Sequence, residues 1–242
     1  MTPSYDELLR ALEREGGELL AAGDNNLDVE VPSCPGWSMR DLLLHVGDVH
    51  SWVAGIVRDR AKQGRRREAA PPTVDALQYA VAARDAVLEA LRNADPDDEV
   101  WNWADQPPRV AFWARRMAHE TSMHRWDAQN CHGNAKPIDA EFAVDGIDEA
   151  LRVTLAARLR HKPQHRIAGT LHLHATDVAG EWLVTIAPES LDVRNEHGKG
   201  DVALRGDASD LLLVLYNREP SSAVDIIGDR SLLDRWREGV RF

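Results

Sequence analysis

Apolar residues recur at intervals of three and four along roughly the first 160 residues, which is the period of amphipathic helices. Polar turn segments and prolines interrupt this pattern four times, for example at Gly23-Asp24 and at Pro71-Pro72. The first four helices predict a bundle in which helices adjacent in sequence run antiparallel. A fifth helix would connect this bundle to the second half of the chain. The predicted helices span residues 5–22, 39–62, 74–92, 109–130 and 140–160.

The hydrophobic period changes to strict alternation after His161-Lys162-Pro163. Alternation over 170–175 and 182–186 predicts two strands, and Asp177-Val178-Ala179-Gly180 between them is typical of a hairpin connection. We therefore predict an α+β protein with a helical bundle domain at 1–160 and a small α+β domain at 165–242. Further strands are predicted at 191–193, 202–205 and 224–227, with helices at 207–216 and 231–237.

Composition narrows the class of protein. The 242 residues are 43% hydrophobic and 29% charged, which is ordinary for a globular chain, and the net charge of −11 argues against a nucleic-acid or anionic-membrane partner. No apolar run approaches the roughly 20 residues that a membrane span needs. The two cysteines do not suggest a disulfide framework, and no secretion signal is visible, so we expect a cytoplasmic protein.

Three polar residues interrupt apolar helix faces. His45 lies within the stripe of the second helix, between Leu42 and Val49, and Glu120 and His124 continue the stripe of the fourth. Glu120 and His124 are four residues apart, so they share one helix face. A carboxylate or imidazole that faces a core is unfavourable unless it is paired or binds a metal.

Two histidines and one carboxylate with open positions are typical of a catalytic zinc site or of a non-haem iron triad. The alternative is that hydrogen bonds satisfy each residue separately, because the sequence alone does not bring the two helices together.

His119 points about 100° away from Glu120, so the pattern is not a zinc-protease motif. Asp127 either orients His124 or lies at the surface, and we favour the surface position. His172 and His174 either form a metal pair or are structural residues of one strand face, and we favour the structural role.

Six motifs stand out along the chain: Cys34–Ser38, Arg40–Val46, His119–Asp127, Gly169–Asp177, Glu181-Trp182 and Arg205–Leu212. Together they resemble the mycothiol-dependent maleylpyruvate isomerase family. That resemblance implies a DinB-like four-helix bundle followed by a small α/β, sterol-carrier-like C-terminal domain. It extends over nearly the whole chain but leaves the substrate open, because family members act on varied electrophiles.

The resemblance also implies a site. It assigns zinc, or another divalent metal, to His45, Glu120 and His124, with water or the thiolate of mycothiol in the fourth position. In the isomerase reaction the thiolate adds to a cis double bond conjugated with a carbonyl, the adduct rotates, and expulsion of the thiol leaves the trans isomer. A transferase relative would leave the thiol attached to the electrophile. Arg218 matches an arginine implicated in binding the substrate carboxylate; the alternative is a solvated residue at a helix end.

We therefore predict a zinc-dependent enzyme that uses mycothiol to isomerise a maleylpyruvate-like substrate or to transfer sulfur to a small electrophile. One alternative is a non-catalytic bundle, stabilised by its metal, with a ligand-binding C-terminal domain. Another is a zinc hydrolase that needs no thiol. A fourth protein ligand would favour a structural metal, whereas an open position would favour an enzyme. The sequence carries no information on oligomeric state.

Overall fold

The structure is a computed structural model, and it describes residues 2–24, 26–71, 73–161, 168–187 and 190–239. The chain forms two compact units, one of Pro3–Lys136 and the other of Pro137–Phe242 with Met1–Thr2. The predicted start of the second domain at residue 165 falls within 162–167, outside the described residues.

The first unit contains four helices: α1 (Tyr5–Gly23), α2 (Met39–Arg58), α3 (Ala76–Arg92) and α4 (Val110–Asn130). Helix α1 packs mainly on α4, and α2 packs mainly on α3. The predicted helices are confirmed, except that α2 ends at Arg58 rather than at residue 62. The difference has a backbone cause, since Arg60 has a φ of 46°, which a right-handed helix cannot contain.

The beginning of α2 follows from its sequence. Ser38 is the N-cap, and it forms a capping box with Asp41: the Ser38 hydroxyl accepts from the Asp41 N–H, and the Asp41 carboxylate accepts from the Ser38 N–H at 2.8 Å. The apolar face that this helix presents is buried, with Leu42, Leu43 and Val46 in the core. Helix α2 therefore starts at a defined residue, which sets the rotation of every side chain along it.

The second unit begins with α5 (Ala140–Glu149), a π-helical segment (Ala150–Leu155) and α6 (Ala156–His161), where the sequence predicted one helix over 140–160. Helix α5 packs on a later helix of the same unit, and the Ile138 N–H donates to Ser209 Oγ at 3.0 Å. These contacts assign residues 140–160 to the second unit, whereas the predicted division at 160–165 assigned them to the bundle.

A five-stranded sheet forms the rest of this unit, in the order β3-β2-β1-β4-β5. Strands β1 and β4 are parallel, and the other pairs are antiparallel. The predicted α+β class is confirmed. The elements are β1 (Gly169–Ala175), β2 (Glu181–Ala187), β3 (Ser190–Arg194), β4 (Val202–Gly206), α7 (Ala208–Leu215), a 3-10 turn (Ser221–Ala223), β5 (Asp225–Gly228) and α8 (Arg230–Gly239).

The two faces of the sheet differ. Leu171 and Leu173 of β1, together with their partners Val184 and Trp182 on β2, are buried on one face. Because side chains alternate along a strand, His172 and His174 point to the opposite face. Among the described helices of the chain, none combines the length and the apolar character needed to cross a bilayer.

Candidate metal centre

His45, Glu120 and His124 converge on one point between α2 and α4. The Nε2 atoms of His45 and His124 each lie 3.4 Å from Glu120 Oε1, and these three atoms all lie within 4.8 Å of one another. A distance of 3.4 Å is long for a charge-assisted hydrogen bond. It is close to the roughly 3.3 Å that separates the ligand atoms of a tetrahedral zinc with bonds of about 2.0–2.1 Å. The donor types and spacing therefore fit a divalent metal.

The centre is partly open to solvent. The side chains of His45 and Glu120 are 23% and 22% exposed, whereas that of His124 is 9% exposed. Within the part of the chain that the structure describes, no fourth His, Cys, Asp or Glu joins these three ligand atoms. Three protein ligands with room for another molecule are typical of catalytic rather than structural zinc sites.

Arg116 controls the charge of the carboxylate. Its Nη2 donates to Glu120 Oε2 at 2.5 Å, one helical turn before Glu120, so Oε1 remains directed at the two histidines. Burial by itself would raise the pKa of Glu120, but the charge of Arg116 and the hydrogen bonds from the two histidines outweigh it. The pKa of Glu120 is consequently held well below its usual value of 4.5, and the group is an anion at neutral pH.

Asp127 orients His124 from the other side of its ring. The side chain of Asp127 is fully buried, so the surface alternative for this residue is wrong. Its Oδ2 accepts from His124 Nδ1 at 2.9 Å, and its Oδ1 accepts from Ser33 Oγ at 2.5 Å. A carboxylate on the far nitrogen of a ligand histidine fixes the orientation of the ring, and here it leaves Nε2 directed at Glu120.

The same two carboxylates set the protonation of His124. Burial would lower the pKa of His124, but the hydrogen bonds that His124 donates to Asp127 and then to Glu120 raise it to about 9. In the metal-free protein this imidazole is therefore a cation at neutral pH. A metal that binds Nε2 must displace its proton, as is usual for histidine ligands.

A tight loop before α2 completes the surroundings of the centre. Val31 N–H donates to Trp37 O at 2.8 Å, and Gly36 has a φ of +86°, which favours glycine. The loop places the ring of Trp37 4.8 Å from that of His45 and brings Cys34 Sγ to 3.6 Å from Asp127 Oδ2. Cys34, His124 and Asp127 also form a metal-like group, but Asp127 already occupies His124 Nδ1. Cys34 is thus a contact of the orienting carboxylate.

Family profiles match both halves of the chain. Residues 9–129, half of the chain, match the family profile described as mycothiol maleylpyruvate isomerase N-terminal domain. The chain belongs to the mycothiol maleylpyruvate isomerase family. Residues 141–235 match the C-terminal domain of the same family. All three candidate ligands lie inside the first match, and Arg218 lies inside the second. None of the curated proteins matches the sequence.

Two solved structures share the fold of this family member. A crystal structure of a histidine-to-alanine mutant of the mycothiol-dependent maleylpyruvate isomerase aligns with a TM-score of 0.66 at 13% identity, and it covers 93% of this chain and 95% of that one. A crystal structure of the mycothiol-dependent maleylpyruvate isomerase aligns with a TM-score of 0.64 at 12% identity, with the same coverage. At this level of identity the similarity establishes the architecture.

Arg218, the predicted carboxylate-binding residue of this family member, lies in the second unit. It follows α7 and the left-handed Asn217, whose φ is 58°. Its Nη1 donates to Tyr216 O at 3.1 Å, and the residue is half-buried. Arg218 is therefore held near the C-terminal end of α7, and its role in catalysis stays a prediction.

Sequence reasoning missed His50, which lies on the buried side of α2. Its Nε2 is 2.8 Å from Thr121 Oγ1 on α4, and within the described structure its Nδ1 has no hydrogen-bond partner. Burial is the main cause that lowers the pKa of His50 to about 4; Glu120 opposes the shift, and the neighbouring histidines and Arg84 add to it. The histidine is therefore neutral in the folded protein at pH 7. The sequence signal that could have identified His50 is its position within an apolar stripe of α2.

We expect His50 to make the protein acid-sensitive. Because the pKa is about 4 when folded and 6.5 when unfolded, the unfolded chain binds the proton first as the pH falls. The stability is fully present above pH 6.5 and should decline by about 3 kcal/mol on going down to pH 4. Urea unfolding with chelator present, for the wild type and for His50→Gln, measures this. The variant should show a shallower decline, whereas parallel curves would contradict the assignment; exposed His132→Gln is the control.

Proposed function

We propose that this chain is a zinc-dependent, mycothiol-using enzyme that isomerises a maleylpyruvate-like cis substrate or transfers the thiol to a small electrophile. The observation that carries the proposal is the convergence of His45, Glu120 and His124 within the domain that matches the family. Membership in the family supports mycothiol as the thiol, and the names of the two solved relatives support an isomerase.

His45 Nε2, Glu120 Oε1 and His124 Nε2 would hold the metal, zinc or another divalent ion. A bound ion of this kind lowers the pKa of a thiol and keeps it as a nucleophilic thiolate near neutral pH. The partial exposure of His45 and Glu120 supports access of a thiol to the centre. This combination favours an enzyme over a metal that only stabilises the bundle.

The surrounding residues would keep the three ligands in place. Asp127 holds the ring of His124 through Nδ1, and Arg116 holds the second oxygen of Glu120. The ring of Trp37 packs against that of His45 and restricts its rotation. Such restraint means that little side-chain entropy remains to be lost when the metal and then the thiol bind.

The chemistry requires only a sulfur nucleophile and a conjugated acceptor. The thiolate forms a C–S bond to one alkene carbon, and the π electrons move onto the conjugated carbonyl as an enolate. Rotation about the new single bond, followed by return of the electrons and loss of the thiolate, gives the trans alkene and regenerates the thiol. Protonation of the enolate instead leaves a stable thioether, which is the transferase outcome.

We propose that Arg218 binds the carboxylate of the acceptor. A charge-assisted hydrogen bond of this kind contributes about 1.5–3 kcal/mol, so Arg218→Ala should lower kcat/KM for a carboxylated acceptor roughly 10- to 100-fold. Metal content and turnover of a neutral acceptor should not change. Steady-state kinetics on both acceptors measure this, with the exposed Arg205→Ala as the control. Equal losses on the two acceptors would contradict the proposed role.

The proposed function is tested by incubating the metal-loaded protein with a panel of cis-configured, carbonyl-conjugated acceptors, with and without mycothiol. We expect trans product or a thioether, detected by mass spectrometry, only when the thiol is present. A hydrolysis product formed without the thiol would favour the hydrolase alternative. Bound metal with no product from any acceptor would favour the non-catalytic bundle.

A further inference from the structure

A second group of ligand-type side chains lies in the C-terminal unit. His172 and His174 share one face of β1, and Glu181 on β2 pairs with His174, so its side chain lies on the same face. His197 reaches the group from the segment between β3 and β4. One ligand atom from each of the four residues lies within 4.8 Å of the others.

Hydrogen bonding alone accounts poorly for this arrangement. His172 Nε2 and His174 Nδ1 are each 2.9 Å from Glu181 Oε1, and His197 Nδ1 is 2.7 Å from the same oxygen. A carboxylate oxygen offers about two lone-pair sites, so three ring nitrogens exceed what it can accept. Three imidazole nitrogens and one carboxylate oxygen directed at a common point are, however, a good ligand set for a divalent transition metal.

The segment that carries His197 is fitted closely to the sheet. A Cβ atom at Gly198 would lie 2.7 Å from Leu183 Cδ2, and one at Gly200 would lie 2.9 Å from the backbone nitrogen of His172. The position of Gly200 therefore requires glycine for the segment to approach this closely, because its neighbours are backbone atoms, whereas a side chain at Gly198 would displace the end of Leu183. His172 is 8% exposed and the side chain of His197 is 81% exposed, so the group extends from the sheet surface into solvent.

We propose that His172, His174, Glu181 and His197 form a second metal site, for zinc or another imidazole-preferring divalent ion such as nickel or copper. Four protein ligands are typical of a closed, structural zinc site rather than a catalytic one. The ion would fasten the 195–200 segment onto the sheet through His197. This site shares no residue with the centre at His45, and it replaces our sequence-based interpretation of His172 and His174 as structural strand residues. The chain would then bind two metals.

Metal analysis of the untagged full-length protein, equilibrated in micromolar buffered zinc, tests this proposal. The wild type should retain two equivalents, and Glu181→Gln and His197→Ala should each lose one. His45→Ala should lose the other equivalent, so the two sites are scored separately. His132→Ala, which removes an exposed histidine outside both groups, should retain two.

Limited proteolysis supplies a readout at the site itself. Lys199 is exposed within the fastened segment, so zinc should slow tryptic cleavage after Lys199 at least tenfold in the wild type but not in His197→Ala. Unchanged metal content in both Glu181→Gln and His197→Ala would overturn the proposal. So would a second equivalent that binds only at millimolar zinc, which would indicate adventitious surface binding.

Discussion

Glu120→Gln should reduce thiol-dependent turnover about a thousandfold while leaving the protein folded. The amide keeps the size of the side chain but is a poor metal ligand, and it leaves Arg116 without its carboxylate partner at 2.5 Å. Loss of the metal removes about 4 kcal/mol of transition-state stabilisation, which corresponds to this factor. Turnover in micromolar buffered zinc with saturating mycothiol measures the effect.

The matched control for this prediction is Glu13→Gln, a substitution of the same type on an exposed face of α1. Its turnover should equal that of the wild type. If Glu120→Gln retained more than a tenth of the wild-type rate, the carboxylate would not belong to the reaction centre. Circular dichroism and thermal unfolding of both variants separate loss of chemistry from loss of fold.

Arg125→Met should lower the free energy of unfolding by about 3 kcal/mol, because it removes the buried partner of Glu15 Oε2 and leaves that carboxylate only its pair with the exposed Arg14 on Oε1. Arg125 Nε donates to Glu15 Oε2 at 2.8 Å, and the two side chains are only 3% and 9% exposed. The guanidinium also donates to Gln129 and to the carbonyl of Lys136. It therefore connects α1, α4 and the end of the first unit.

Two comparisons make the Arg125 prediction specific. Arg92→Met breaks the exposed pair with Glu13, whose N–O distance of 2.7 Å is similar, and should lower stability by under about 1 kcal/mol. Adding Glu15→Leu to Arg125→Met should restore part of the loss, because the buried carboxylate that has lost Arg125 is then removed. Urea unfolding measures all of these variants. Equal losses of stability for Arg125→Met and Arg92→Met would show that burial does not determine how much the Arg125–Glu15 pair stabilises the protein.

Periodicity was sufficient to select the candidate ligand residues because each one breaks an apolar stripe. His45 and the Glu120–His124 pair could be selected from helix spacing, and the capping box at Ser38 set the start of α2. Spacing within a helix does not say which helices face each other, and the family resemblance supplied that expectation. The structure brings the three groups together.

Features that depend on packing between distant segments could not be predicted in this way. Asp127 is buried because the 31–37 loop covers it, with Ser33 and Cys34 in contact with its carboxylate. The π-helical segment at 150–155 continues the same apolar spacing as a helix, so it left no signal. His197 contacts Glu181 because Gly198 and Gly200 let its segment lie against the sheet. The spacing of hydrophobic residues does not predict the course of that segment.

The central claim is that one divalent metal is held jointly by His45, Glu120 and His124. Calorimetric titration of zinc into the metal-free Glu181→Gln/His197→Ala protein tests it most directly, because the second site is absent there. One equivalent should bind tightly, and adding His45→Ala, Glu120→Gln or His124→Ala should weaken binding at least 100-fold. Retention of one tight equivalent in all three variants would contradict the account.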